Sequence, residues 1–144
     1  MLVCFSVNFK VQKMAQLGEK TTTDEVLEAI DLTGKVAIVT GSSGGLGAET
    51  ARALASKGAA VTIAARDLRR AQNMADQIKE NTGNPNVDVG ELELDKPNSV
   101  RDFARNYLAN HDELNILINN AGVMACPLDR TAQGWEMQFA TNHL

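Results

Sequence analysis

This chain lacks the features that most short sequences use to bind metals, cross membranes or hold nucleic acid. It has two cysteines, Cys4 and Cys126, in no metal-ligand or disulfide pattern. No metal is expected, and the thiols read as free groups in a reducing, cytoplasmic compartment. No run approaches the ~18 apolar residues of a membrane span. Lys and Arg number 14 against 18 Asp and Glu, with net charge −4 and no basic block, which argues against nucleic acid as a partner. Internal repeats and low-complexity segments are missing. So are the dinucleotide fingerprint G-x-G-x-x-G and a P-loop, since no Gly-Lys-Ser/Thr follows the glycines. What remains is a plain globular composition, 44% apolar, 22% charged and 4% aromatic. The 144 residues suit one domain with a real core.

One stretch organises the rest. The apolar run Val36-Ala37-Ile38-Val39 stops at Thr40, and Gly41-Ser42-Ser43-Gly44-Gly45-Leu46-Gly47 follows. A helical pattern then begins at Ala48. Strand, tight turn and helix are expected in that order. Glycine admits positive φ in such a turn and lets backbone amides approach a phosphate. The helix starting near Gly45 aims its free N–H groups and positive dipole end at the same spot. This is an anion seat, and in a βαβ unit its usual occupant is a dinucleotide pyrophosphate. The spacing reads either as Thr-Gly-x-x-x-Gly-x-Gly on Thr40, Gly41, Gly45 and Gly47, or as Thr-Gly-x-x-Gly-x-x-Gly through Gly44.

Along the chain, residues 1–30 read as a tail with a short helix. Met1 to Phe9 is apolar but lacks the flanks of a signal peptide. It stands either as an extension upstream of a natural start at Met14 or as a tail that touches a membrane. Thr21 to Asp24 offer caps for a short amphipathic helix over Glu25 to Ile30. From Asp31 to Leu144 strands and helices alternate. Gly58 ends the first long helix, and Ala60–Ala65 is a buried strand. Asp67 caps a helix with apolar face Leu68, Ala71, Met74, Ala75 and Ile78. Val87 to Leu94 carries a third strand. Pro97 opens a helix with Val100, Phe103, Ala104, Tyr107 and Leu108 on one face. Leu114–Ile118 is a fourth strand, and a last helix starts around Thr131 to Trp135. Repeated β-α units predict an α/β fold. The specific form is the first half of a Rossmann-type, doubly wound parallel sheet of strand order 3-2-1-4, truncated at an exposed fourth strand. Such a fragment is expected to fold marginally or aggregate.

Asn119-Asn120-Ala121-Gly122 after the fourth strand, with the glycine turn after the first, resembles the classical short-chain dehydrogenase/reductase family. The retinol-dehydrogenase-like branch is the nearest, on Leu32-Thr33-Gly34-Lys35-Val36, Ala64-Ala65-Arg66-Asp67, Ser99-Val100-Arg101, Leu114 to Met124 and Gln138 to Leu144. The extended branch of epimerases and dehydratases carries the other glycine spacing and lacks Asn-Asn-Ala-Gly.

The resemblance implies a cofactor site on Thr40, Gly41, Ser42, Ser43, Gly45, Leu46 and Gly47, on Arg66, Glu93 and Leu94, and on Asn120, Ala121 and Gly122. Where an acidic side chain would take the ribose 2′-OH of NAD, this chain has Ala65. Arg66 is suited to a 2′-phosphate, so NADP(H) is preferred and NAD(H) remains open; a solvated surface arginine is the plain alternative. Glu93 stands where the family usually has Asp against the adenine. Asp95 is its competitor, and reads better as a cap ahead of Pro97. Asn119 reads as a structural tie from the fourth strand to its neighbour. Trp135, Phe139 and Asn142 fall at i, i+4 and i+7, a face expected to turn inward. Asn142 matches the Asn of the family's Asn-Ser-Tyr-Lys tetrad, which holds a water in the proton relay. His111 reads as a solvated loop residue and His143 as packing or surface.

The family's Ser and Tyr-x-x-x-Lys do not occur here: Tyr107 is followed by Leu108-Ala109-Asn110-His111. The expectation is the cofactor-binding portion of an oxidoreductase that interconverts an alcohol and a ketone or aldehyde, of lipophilic, retinoid- or steroid-like class by resemblance. The complete protein is expected to be a homo-oligomer, and this chain alone to be inactive. A non-catalytic dinucleotide-binding or regulatory module is the second reading. An extended-branch epimerase or dehydratase is the third.

Overall fold

A computed structural model describes residues 18–144; the expectations for Met1 to Phe9, Cys4 and Met14 lie outside them. Strand β1 (Val36–Thr40) sits inside a four-stranded parallel sheet. It pairs with β2 (Ala60–Ala65), Val36 opposite Ala60 and Thr40 opposite Ala64. On its other side it pairs with β4 (Ile116–Ile118), Ala37 opposite Ile116. Strand β3 (Val87–Glu91) lies outside β2, Val61 opposite Val87. The order is β3-β2-β1-β4, as the sequence predicts.

Alternation along β1 sends its side chains to two separate cores. Ala37 and Val39 join Val61, Ile63 and Val87 beneath two helices, α2 (Gly45–Ser56) and α3 (Leu68–Thr82). The helices meet the sheet through Ala51, Leu54, Ala55, Ala71, Ala75 and Ile78. Alanine at most of these contacts brings helix and sheet backbones close. Fully buried Ile63 and Ile78 each contribute roughly 1.5–3 kcal/mol of hydrophobic stabilisation. On the opposite face Ile38, Ala64 and Leu92 pack with Tyr107 and Phe103 of α4 (Pro97–Asn110). Gly90 makes that docking possible, since a Cβ there would stand 2.5 Å from the Phe103 ring.

Several boundaries differ from expectation. β3 ends at Glu91, and Leu92 and Leu94 leave it to pack beside α4. The α4 stripe is only partly used: Tyr107 is buried and Phe103 half-buried, whereas Val100 and Ala104 are exposed and Leu108 is 74% exposed. No described residue covers that side of the helix. Lys96, not Asp95, is the N-cap residue of α4, and no side chain caps it. Its other end closes on His111, whose ring stacks on Tyr107 at 4.1 Å instead of lying free in a loop.

The last helix, α5 (Met137–Asn142), starts later than predicted. Thr131 to Trp135 form a turn, with Thr131 N–H donating to the Trp135 carbonyl and Gly134 (φ 83°) reversing the chain. Glu136 then caps the helix, its carboxylate accepting from the N–H groups of Gln138 and Phe139 at 2.9 and 2.8 Å. Trp135 is therefore off the helix. Ala140 is the buried residue of α5, and Phe139 and Asn142 lie on an exposed face, not an inward one.

The first helix is also shorter than predicted. α1 (Thr23–Val26) is a single turn, and Val26 and Ile30 are exposed. Thr22 and Glu25 close a capping box, each side chain accepting from the other's N–H. Polar contacts dock it on α2. Arg52 donates to Asp24 at 2.9 Å and to Glu49 at 2.7 and 2.9 Å, and the Thr23 hydroxyl bonds Glu49. The Arg52 hydrogen bonds, with that of Thr23, draw the Glu49 carboxyl down to about 2 from 4.5. A depressed carboxylate supports the native state above its unfolded pKa and loses that support as pH falls through the folded one. The docking of α1 is therefore expected to hold at neutral pH and to weaken between about pH 4.5 and pH 2. Limited proteolysis near Thr23–Val26, run across that range, checks it; cleavage that does not change with pH would refute it.

Candidate functional site

The C-terminal ends of the strands open on one cleft of about 490 Å³. Gly41 comes from the end of β1, Ala64 to Asp67 from β2, Leu92 to Asp95 from the segment after β3, and Asn120 to Val123 from the end of β4. Order 3-2-1-4 reverses direction between β1 and β4, the switch point where open α/β sheets bind ligands. A larger groove of about 830 Å³ follows the β3 edge between α3 and α4. It contains no residue of the glycine turn, whereas Gly41 and Ser43 line the smaller cleft, which is therefore the candidate site.

The glycine turn is built by close approach. Gly41 (φ 66°) lies so near β4 that a Cβ would meet the Ala121 Cα at 2.8 Å. A Cβ on Gly47 would meet the Asn120 side-chain amide and, at 2.8 Å, the Gly41 carbonyl. Gly45 (φ 60°) opens α2, and nothing lies within 4 Å of where its Cβ would be. Packed glycines below and a bare one above leave the helix N-terminus open to an anion. That backbone surface fits a pyrophosphate.

Long-range polar contacts hold the two strand ends together. Thr40 Oγ1 accepts from Ala121 N–H at 3.0 Å. Asn120 Nδ2 donates to the Thr40 carbonyl at 2.9 Å. The tie between β4 and its neighbour is thus made by the Asn120 side chain rather than by Asn119. Asn115, not singled out in the sequence, accepts from Val36 N–H at 2.8 Å at the other end of the pairing.

The remaining candidates divide by position. Ser42 is fully buried and its hydroxyl donates to the Val39 carbonyl at 2.6 Å, so its side chain braces the turn. Leu46 is 83% exposed and stands outside the cleft walls. Ser43, Arg66, Glu93, Leu94, Asn120, Ala121 and Gly122 line the cleft. The Glu93 carboxylate pairs with Lys96 at 2.7 Å, and its N–H donates to Ser99 Oγ at 3.0 Å. Asp67 caps α3, accepting from Arg70 N–H at 3.0 Å. Arg70, which sequence reasoning missed, lines the cleft with its guanidinium over the turn, 3.3 Å from where a Cβ on Gly44 would stand. Its place was the available signal: it lies in the first turn of α3, three residues after the Asp67 cap, on the helix that leaves the end of β2. Asn142 accepts from Val123 N–H at 2.8 Å and donates to the Val123 carbonyl at 2.7 Å.

A strand-end cleft with this turn and this Asn-Asn-Ala-Gly segment has a family counterpart. The short chain dehydrogenase family model matches residues 35–144. This chain belongs to the short-chain dehydrogenase family. Human retinol dehydrogenase 11 is 44% identical over 135 residues, covering 94% of this chain and 41% of that protein. Human retinol dehydrogenase 12 is 48% identical over 115 residues, 80% of this chain and 36% of that protein. A metagenomic short-chain oxidoreductase solved in complex with NADP superposes with a TM-score of 0.60 at 37% identity, covering 64% of this chain and 41% of that one. This short-chain dehydrogenase chain therefore spans about two fifths of the curated relatives it matches.

Proposed function

We propose that this chain is the NADP(H)-binding portion of an oxidoreductase that interconverts an alcohol with a ketone or aldehyde, of a lipophilic class. One observation carries the reading: Gly41 and Ser43 of the glycine turn that leads into α2, and two arginines, Arg66 and Arg70, line one cleft at the sheet's switch point. When bound, the cofactor supplies the hydride. The chain's own residues bind and orient it. Backbone N–H groups from Ser43 to Gly47 would receive the pyrophosphate. Arg66 and Arg70 would neutralise a 2′-phosphate that NAD lacks. Glu93 would accept from the adenine amine while Lys96 holds its carboxylate, and the backbone of Ala121 and Gly122 would meet a ribose.

Asn142 is the family position for the proton relay. Its amide accepts from the Val123 N–H and donates to the Val123 carbonyl, which braces the cleft wall and leaves one N–H and one lone pair of the amide unused. A second reading, for the 144 residues alone, is a dinucleotide-binding unit without turnover. The absence of Tyr-x-x-x-Lys among them points that way.

Fluorescence titration with NADPH and NADH, followed by a turnover assay on lipophilic aldehydes, tests both. NADPH is expected to bind more tightly than NADH, with no turnover by this chain. A failure to bind either dinucleotide would remove the cofactor assignment, and activity on a nucleotide sugar would revive the epimerase class.

A further inference from the structure

The loop that leaves β4 forms part of the cleft wall through Val123 and Cys126. Between them Ala125 has φ 54°, the one positive-φ residue other than glycine among the described residues. A Cβ disfavours that conformation, so the surrounding structure must impose it. Two amides on α5 do so. Gln138 Oε1 accepts from Ala125 N–H at 3.2 Å. Asn142 holds both backbone groups of Val123. The two amides are four residues apart and share one helix face. The same helix supplies Met137 and Thr141 to the cleft, and Glu136 pins its start through the Gln138 and Phe139 N–H groups.

We propose that Gln138 is a positioning residue for the cofactor, holding Ala125 in the left-handed conformation so that Val123 and Cys126 keep to the cleft wall. The inference rests on the NADP(H) reading above. Asn142 alone fixes the near end of the loop; without Gln138, Ala125 returns to ordinary backbone angles and carries Cys126 off the wall. Glycine at position 125 takes the left-handed conformation without help, so it should relieve the need for Gln138.

The test is an NADPH titration of the wild type, Gln138→Leu, and the Ala125→Gly/Gln138→Leu double variant. Leucine removes the acceptor at similar volume. The single variant is expected to bind NADPH roughly tenfold more weakly. The double variant is expected to recover to within about threefold of the wild type. Wild-type affinity in Gln138→Leu, or a double variant as weak as the single, overturns the proposal. A wild type that does not bind NADPH overturns the cofactor reading instead. Amide exchange of Ala125 in the unmutated chain decides the structural part without any substitution. Protection of that exposed N–H supports the Gln138 bond, and exchange at the free-peptide rate overturns it.

Discussion

Replacing Arg66 and Arg70 together with alanine is expected to weaken NADPH binding about 100-fold and to leave NADH within about threefold. Both side chains are exposed at the mouth of the cleft, where each charge-assisted contact to a 2′-phosphate is worth about 1.5 kcal/mol. NADH has no such phosphate, so the loss should fall on one cofactor. The NADPH affinity of the wild type should also drop with rising salt, and that of the double variant much less, because exposed charges are screened. Paired titrations at two ionic strengths read both effects. An equal loss for the two dinucleotides would mean that the arginines support the pyrophosphate or the fold, and the preference for NADP(H) would fall. The single variants sort the pair. Arg66 leaves the end of β2, whereas Arg70 lies in the first turn of α3 and reaches back over Gly44.

Gly47→Ala is expected to abolish measurable dinucleotide binding and to destabilise the chain by about 1–3 kcal/mol. The new methyl would fall on the Asn120 amide and the Gly41 carbonyl. Both belong to the tie between β1 and β4, so neither can yield without loosening that pairing. Asn120 would lose its 2.9 Å bond to the Thr40 carbonyl, and α2 would be lifted away from the turn it must face. Gly45→Ala is the control. Its φ of 60° disfavours a side chain, but no atom lies within 4 Å of the added methyl. It should melt closer to the wild type while still binding the cofactor less well, because the methyl occupies the ground above the helix N-terminus. Thermal melts and NADPH titrations of the two variants separate packing damage from blocked access. A Gly47→Ala protein that binds as the wild type does would show that the turn can open, and would remove the rigid-cradle argument.

The backbone architecture was legible because it is written in local patterns. Apolar runs of strand length ended at glycine or a cap, and helical spacing followed. That alternation predicts a parallel sheet with right-handed crossovers, and the order 3-2-1-4 is that of the first half of a doubly wound fold. Asp67 as a cap and Pro97 at a helix start were legible for the same reason: their partners lie within a few residues. Helix faces were harder. The α4 stripe has sound periodicity, yet periodicity states which residues share a face and not whether anything lies against it. The start of α5 was misread because Thr131 to Trp135 hold a turn closed by their own backbone, a competitor that helical spacing does not reveal.

Residue order was enough for the α/β alternation, the glycine turn at the first strand end, and membership of the short-chain dehydrogenase family. Packing settled which side chain of a similar pair acts. Asn120 rather than Asn119 ties the sheet, across 80 residues of chain. Glu93 is held by Lys96, Arg70 joins Arg66 at the cleft, and Gln138 reaches Ala125. Residue spacing encodes direction along one element. Partnership between side chains depends on the register and packing of elements distant in sequence, and those exist only once the sheet has formed.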